Sequence, residues 1–402
     1  MVPLTDGSGS RNAAPQASRT GTLARMNCLV IKIGSALLVD TRTGALKRDW
    51  LTSLCADIAD LKRNGHQIVI VSSGAIALGR AILNLPPRAL PLPQVQAAAC
   101  VGQVALSEAW RDALREQQIT TAQILLTPNI TEERRSFINA RATISTLLAM
   151  GVVPVINEND SVATAEIRYG DNDRLSARVA SMIGADGLVL LSDVDGLYSA
   201  PPDTDPDATH LPLVRQITPE IRQMARGAAS HLSRGGMATK IDAATIATRA
   251  GTSMLIAKGT IPHPLDALNK GARHTLFPAR HSPAAARKRW ILGTLDIHGT
   301  IHVDAGAAAA ILSGKSLLPV GVTRVRGEFD RGDAVSVKDP QGTEIARGLA
   351  GMNRDEADMA KGKKNRIVKG MFGHMNRAEL IHADNLVLIA TPEPDNTDRK
   401  EP

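Results

Sequence analysis

The feature that most constrains this chain is an alternation. Six short, almost continuously apolar runs recur between residues 28 and 258: CLVIKI (28–33), QIVIVS (67–72), TAQILL (121–126), VVPVI (152–156), GLVLLS (187–192) and SMLIA (253–257). A strand that is apolar at nearly every position is covered on both faces, as strands of a parallel sheet are. Between these runs lie longer stretches with helical patterning, over 48–63, 93–117, 137–149, 172–183 and 237–250. In the first of them Leu51, Leu54, Ile58 and Leu61 recur at three- and four-residue steps. Such alternation predicts an α/β domain, a mainly parallel sheet sandwiched between helices and joined by right-handed crossovers.

Beyond about residue 275 the pattern changes. Residues 200–216 read as a Pro- and Asp-rich surface loop, and 259–289 hold four prolines and the basic triplet Arg287-Lys288-Arg289. After them WILGTL, GTIHVD, LLPVGVTRV, AVSVKD, EIARGLA and LVLIA read as short strands separated by Gly- and Asp-containing turns. They predict a small, mainly β domain. One helix is expected in it, over 304–313, capped by Asp304. The expected organisation is a disordered leader over 1–26, an α/β domain over 27–275, a linker over 276–288, the β domain over 289–392 and a polar tail over 393–402.

Composition removes several classes. Three cysteines, Cys28, Cys55 and Cys100, show no CxxC spacing, which argues against a disulfide framework or a zinc site and fits a reducing cytoplasm. No apolar run approaches the ~20 residues a membrane span needs, and the first 26 residues lack the apolar block of a secretory signal. Net charge is +7, yet residues 27–270 carry 24 basic and 23 acidic side chains against 20 and 16 in 271–402. Any anion site in the α/β domain must therefore be built locally. Only nine residues are aromatic, which disfavours a base-stacking RNA surface.

The polar residues cluster at the strand ends, where ligands bind in open α/β sheets. The first strand delivers Lys32 and then Gly34-Ser35, which lets backbone amides approach an anion; the alternative is a strand-end lysine reaching water. The second ends in Ser72-Ser73-Gly74 before a helix, either an anion seat or an ordinary serine cap. The fourth runs into Asn157-Glu158-Asn159-Asp160, and a hairpin is expected over 161–169. Asp171-Asn172-Asp173 then opens a helix. Asn amides suit a carboxylate and an ammonium together, Asp160 suits an ammonium, and Asp171 and Asp173 either hold Mg²⁺ or orient lysines. Ser192-Asp193 ends the fifth strand, as a nucleotide seat or a plain turn. Gly235, Gly236, Met237, Ala238, Thr239 and Lys240 open the last helix, without the P-loop pattern. No GxGxxG is present, which disfavours a dinucleotide enzyme. A pair of lysines with metal-binding aspartates is what phosphoryl transfer requires.

These residues resemble the glutamate 5-kinase family of the amino-acid kinase superfamily. The motifs are VIKIGS, IVIVSSGAIALG, VPVINENDSVATAEIRYGDNDRLSA, LLSDVDGLY and GGMATK, and the region from RKRWILG onward resembles a PUA domain. The resemblance implies ATP-dependent phosphorylation of the γ-carboxylate of L-glutamate, the first step of proline biosynthesis, with ATP and Mg²⁺ as cofactors. It implies that Lys32 and Lys240 neutralise the transferred group and Asp173 organises them. Ser73, Asn157, Asp160, Asp171 and Asn172 would bind glutamate. Lys32, Gly34, Ser35, Ser192, Asp193, Arg234 and residues 235–240 would bind ATP, with Mg²⁺ bridged by its phosphates and by Asp171. Proline as feedback inhibitor, a homo-oligomer and handover to glutamyl phosphate reductase also follow from it. There are departures. Ser192 and Arg234 each stand where the family often has Thr, and Ser35-Ala36 has one hydroxyl fewer than usual.

Two other readings compete. A uridylate-type kinase on the same fold would need arginines for an acceptor phosphate. An RNA-binding role would rest on the C-terminal charge and the run Lys361–Arg366, which otherwise reads as a solvated loop. The expectation is a cytoplasmic enzyme with no membrane and no nucleic-acid partner.

Overall fold

The computed structural model describes residues 21–86, 88–127, 134–162, 172–227, 236–293, 297–372 and 378–389. The chain forms two compact units, the first taking residues up to 278 except 128–143 and 248–252, and the second taking those two segments together with the residues from 279 onward.

In chain order the first unit begins with β1 (Cys28–Ile33), α1 (Ser35–Leu38), α2 (Arg48–Arg63), β2 (Gln67–Ser72), α3 (Ala75–Ile82) and α4 (Leu92–Glu116). It continues with β3 (Thr121–Leu126), the end of α5 (Arg134–Ala149, whose residues up to Thr143 belong to the second unit), β4 (Val153–Glu158), α6 (Asn172–Ile183) and β5 (Gly187–Ser192). A small hairpin of β6 (Leu197–Tyr198) and β7 (His210–Leu211) follows, then α7 (Pro219–Gly227), α8 (Met237–Arg249), β8 (Ser253–Lys258), α9 (Pro264–Asn269) and β9 (His274–Phe277). The seven-stranded sheet has the order β3-β4-β2-β1-β5-β8-β9. Every neighbouring pair is parallel except β8–β9. The apolar runs form the expected parallel strands because both faces are covered. Leu29, Ile31, Ile33, Ile68, Ile70 and Leu255 are buried with Leu54, Ile58 and Trp110 from α2 and α4. β1 lies at the centre, and the chain passes from it first to β2 on one side and later to β5 on the other. That reversal opens a crevice at the carboxyl ends of the strands.

Two glycines bring α3 onto α4. A Cβ on Gly79 would lie 1.7 Å from the Ala98 carbonyl oxygen, and one on Gly102 would lie 1.8 Å from that of Ala75. Gly74, just before α3, takes φ +114°, a left-handed conformation that favours glycine.

The leader expected over 1–26 differs at its end. Leu23 is fully buried, Thr22 N–H donates to the Asn269 carbonyl and Leu23 N–H to its side chain. Residues 1–20, the hairpin expected over 161–169 beyond residue 162, and the tail past 389 lie outside the described residues.

The second unit contains α10 (Pro283–Gly293), β10 (Gly299–Val303), α11 (Ala305–Leu312), β11 (Val322–Gly327), β12 (Ala334–Lys338), β13 (Glu344–Leu349), α12 (Arg354–Ala360), α13 (Asn365–Met371) and β14 (Leu386–Leu388). Its five strands run in the order β11-β10-β12-β13-β14. Asp304 caps α11 by accepting the Ala307 N–H at 2.7 Å, as expected. The first four residues of the run read as the strand WILGTL are instead the end of α10, and its last two lie outside the described residues. The Ser282 hydroxyl receives the Ala285 N–H at 3.3 Å, Pro283 is the first helical residue, and three alanines carry the helix on. Ile291 supplies the apolar contact that made the segment look like a strand, and it packs with Ala334, Leu349 and Val387.

Candidate active site

Five strand ends and two helix starts meet at the carboxyl edge of the first unit. β1 brings Lys32 and Gly34, β2 brings Ser72 and Ser73, and β4 brings Asn157 and Glu158. β5 ends at Ser192 and β8 at Lys258, and α6 and α8 begin there with Asn172 and Met237.

At the centre is one carboxylate between two ammonium groups. Asp173 is 0% exposed, its Oδ1 lies 2.5 Å from Lys32 Nζ and its Oδ2 3.3 Å from Lys240 Nζ. The single Thr239 hydroxyl proton is shared between the Gly236 carbonyl, at 2.8 Å, and Asp173 Oδ2, at 3.2 Å. Burial alone would raise the Asp173 carboxyl. The ammonium groups of Lys32 and Lys240 outweigh that and hold it below its ordinary value. With both oxygens committed to cations, Asp173 serves as an anchor for two lysines. Among the described residues no group of three or more His, Cys, Asp or Glu is placed to hold a metal. Asp171, the residue expected beside Mg²⁺, lies outside the described residues, as do Arg234 and Gly235.

Beside this centre is a neutral polar cluster. Asn172, next to Asp173 in sequence, uses its amide N–H groups on three acceptors: the Ser72 carbonyl at 3.1 Å, the Ser73 hydroxyl at 2.8 Å and Asn157 Oδ1 at 3.0 Å. Its own carbonyl oxygen is left to accept, and the Ser73 hydroxyl, which already accepts, keeps a proton to donate. Behind the cluster stands α4. Gln103 accepts from the Asn157 amide at 2.8 Å, and the buried Trp110 indole donates to the Ser72 hydroxyl at 2.9 Å. Neither α4 residue was singled out from the sequence. The available signal was a polar side chain at 103 on the buried stripe Ala99, Gly102, Leu106, Trp110.

The remaining described candidates lie along the same strand ends and helix starts. Asp160 is half-buried in the turn after β4. Ser192 donates to the Asp193 carboxylate at 2.9 Å and lies one residue past Leu191, the sheet partner of Ile33. Gly34 precedes α1, and Ser35 is its exposed first residue. Met237 and Ala238 are in the first turn of α8.

A parallel αβα domain with two anchored lysines at its strand ends defines the class: a phosphotransferase of amino-acid-kinase type. The amino acid kinase family model matches residues 27–258, and the PUA domain model matches 299–371. A glutamate 5-kinase of Agrobacterium fabrum is 57% identical over 91% of this chain and 94% of its own length. Glutamate 5-kinase 1 of Rhizobium meliloti is 58% identical over 90% of this chain and 92% of its own. At that identity and coverage, the chain belongs to the glutamate 5-kinase family.

Proposed function

We propose that this chain transfers the γ-phosphoryl group of ATP to the γ-carboxylate of L-glutamate, forming glutamyl 5-phosphate for proline biosynthesis. The observation that carries the mechanism is the buried Asp173 holding Lys32 and Lys240 together. The acceptor is a carboxylate of pKa ~4.3, ionised at neutral pH, so the reaction needs no general base. Its difficulty is bringing one anion onto another. Lys32 and Lys240 answer it with fixed positive charge where negative charge develops on the transferring group, and Asp173 keeps that charge pre-organised. The amino ends of α6 and α8 add the favourable ends of two helix dipoles. Mg²⁺ enters with the nucleotide phosphates.

The neutral cluster supports an amino-acid acceptor. Asn172 offers a carbonyl oxygen to an ammonium and Ser73 offers a proton to a carboxylate, while Asp160 supplies charge for the ammonium. Asp171 and Asn157 complete the glutamate side. Gly34, Ser35, Ser192, Asp193 and the segment 234–240 hold the nucleotide. Proline inhibits from the glutamate side of the crevice. The enzyme works in the cytoplasm as a homo-oligomer and passes its water-labile acyl phosphate to a glutamyl phosphate reductase. Among the described residues no helix is long and apolar enough to cross a membrane.

The test is ATP- and glutamate-dependent ADP release with hydroxylamine trapping of the acyl phosphate. Hydroxamate formed only when both substrates are present supports the reading. Turnover with aspartate or a nucleoside monophosphate, and none with glutamate, overturns it.

A further inference from the structure

We infer that Gln103 of α4 is a positioning residue for the amino-acid side of the site. An amide can present its oxygen or its nitrogen to a given neighbour, and a substrate pocket lined by amides must have that choice made for it. Here the choice runs along a chain of donors. Gln103 Oε1 accepts from Asn157 Nδ2 at 2.8 Å, which turns Asn157 Oδ1 toward Asn172. Asn157 Oδ1 then accepts from Asn172 Nδ2 at 3.0 Å, and the same nitrogen serves the Ser73 hydroxyl at 2.8 Å. Both Asn172 N–H groups are thereby spent within the protein, and its carbonyl oxygen is the group left for the ligand. Were Asn157 to rotate, it would offer an N–H to the N–H groups of Asn172, and this polarity would be lost.

The rest of the structure holds Gln103 at this end of the chain. Asn157 is buried at the end of β4 and Gln103 is half-buried. Gln103 lies one residue past Gly102, where α4 meets α3 backbone to backbone, so its helix cannot drift from the strand ends. Two turns further along the same face Trp110 braces Ser72, whose carbonyl is the third acceptor for Asn172. Gln103 acts through Asn157.

The inference rests on glutamate being the acceptor, and its test separates the two. Gln103→Met keeps length and bulk and removes the acceptor. The expected result is a glutamate KM raised about tenfold, the loss of roughly one net hydrogen bond, with ATP KM within twofold and kcat within threefold of wild type. In an Asn157→Ala background the same substitution should change glutamate KM less than twofold, because the partner is gone. If Gln103→Met does not fold, Gln103→Ala carries the same expectations. A glutamate KM within twofold of wild type, equal rises in both KM values, or an undiminished effect in the Asn157→Ala background overturns the proposal. A wild-type enzyme that makes no hydroxamate from glutamate overturns the functional reading instead.

Discussion

At the residue scale the site is an electrostatic arrangement with one buried negative charge and two positive ones. Lys240 and Lys32 differ in how they reach Asp173, at 3.3 and 2.5 Å, but both are fixed before substrate arrives. Removing Lys240 therefore takes away charge at the transition state more than it takes away ground-state binding. Lys240→Met is expected to lower kcat by about 10²–10³, the loss typical of one pre-organised donor, with glutamate KM within about threefold; steady-state kinetics in both substrates checks it. Asp173→Asn leaves two buried ammonium groups without their counter-charge, a loss of about 3–5 kcal/mol. The pH dependence has a definite sign. The folded-state pKa of Asp173 is lowered, so its contribution is complete above the unfolded carboxyl value near 3.9 and disappears as pH falls through the folded value. Urea unfolding should show a constant stability gap between wild type and Asp173→Asn from pH 8 to 5, narrowing below about pH 4. A gap that closes between pH 6 and 8 would assign it to another group.

At the element scale the helix pair α3–α4 carries the polar strand ends, and its two glycines are the point of weakness. Gly102→Ala would place a Cβ 1.8 Å from a backbone carbonyl that no side-chain rotation can move. Overpacking of this kind costs about 1–3 kcal/mol, a fall in Tm of roughly 2–4 °C for each kcal/mol in a domain this size. Glutamate KM should rise with it, since α3 follows directly on Ser73 and Gly74; calorimetry and kinetics on one preparation test both. The same scale shows what the sequence made legible. Strands β1, β2, β3 and β5 coincide with their apolar runs, Lys32 and Ser73 stand at or just past strand ends, and Asn172, Asp173 and Lys240 lie in the first turns of α6 and α8, where the pattern puts helix starts. Those signals are local: buried parallel strands need apolar residues throughout, and an anion site needs cations. The antiparallel direction of β9 is not local, because HTLF reads alike in either direction. Nor is the start of α10 before Trp290, where helix-forming alanines and a Pro at the first position outweigh the strand-like WIL. Gln103 carries the same lesson, since one polar residue on an apolar helix face has meaning only when the strand end it reaches is known.

For the whole molecule the question is what the net charge of +7 is for. The Lys32–Asp173–Lys240 cluster lies in the first unit, whose segment 27–270 is nearly balanced, so the excess is elsewhere. In the second unit the run 361–366 joins α12 to α13, and part of it is already engaged. Lys361 pairs with Asp358 at 2.7 Å, Lys363 donates to the Met359 carbonyl, and Arg354 nearby pairs with Asp355 at 2.8 Å. A surface whose cations are tied to its own carboxylates and carbonyls has fewer to release counterions against phosphates. With so few aromatic side chains in the chain, it also lacks the stacking that gives RNA affinity beyond charge. Filter binding of RNA across a salt series should therefore find only the weak, non-specific range of about 10⁻⁴–10⁻⁶ M at physiological salt. Lys363→Glu with Lys364→Glu should leave glutamate-dependent turnover within twofold. Nanomolar retention that falls steeply with salt and is abolished by the double charge reversal would show the second unit to be a nucleic-acid site, and the excess charge to have a polyanion as its partner.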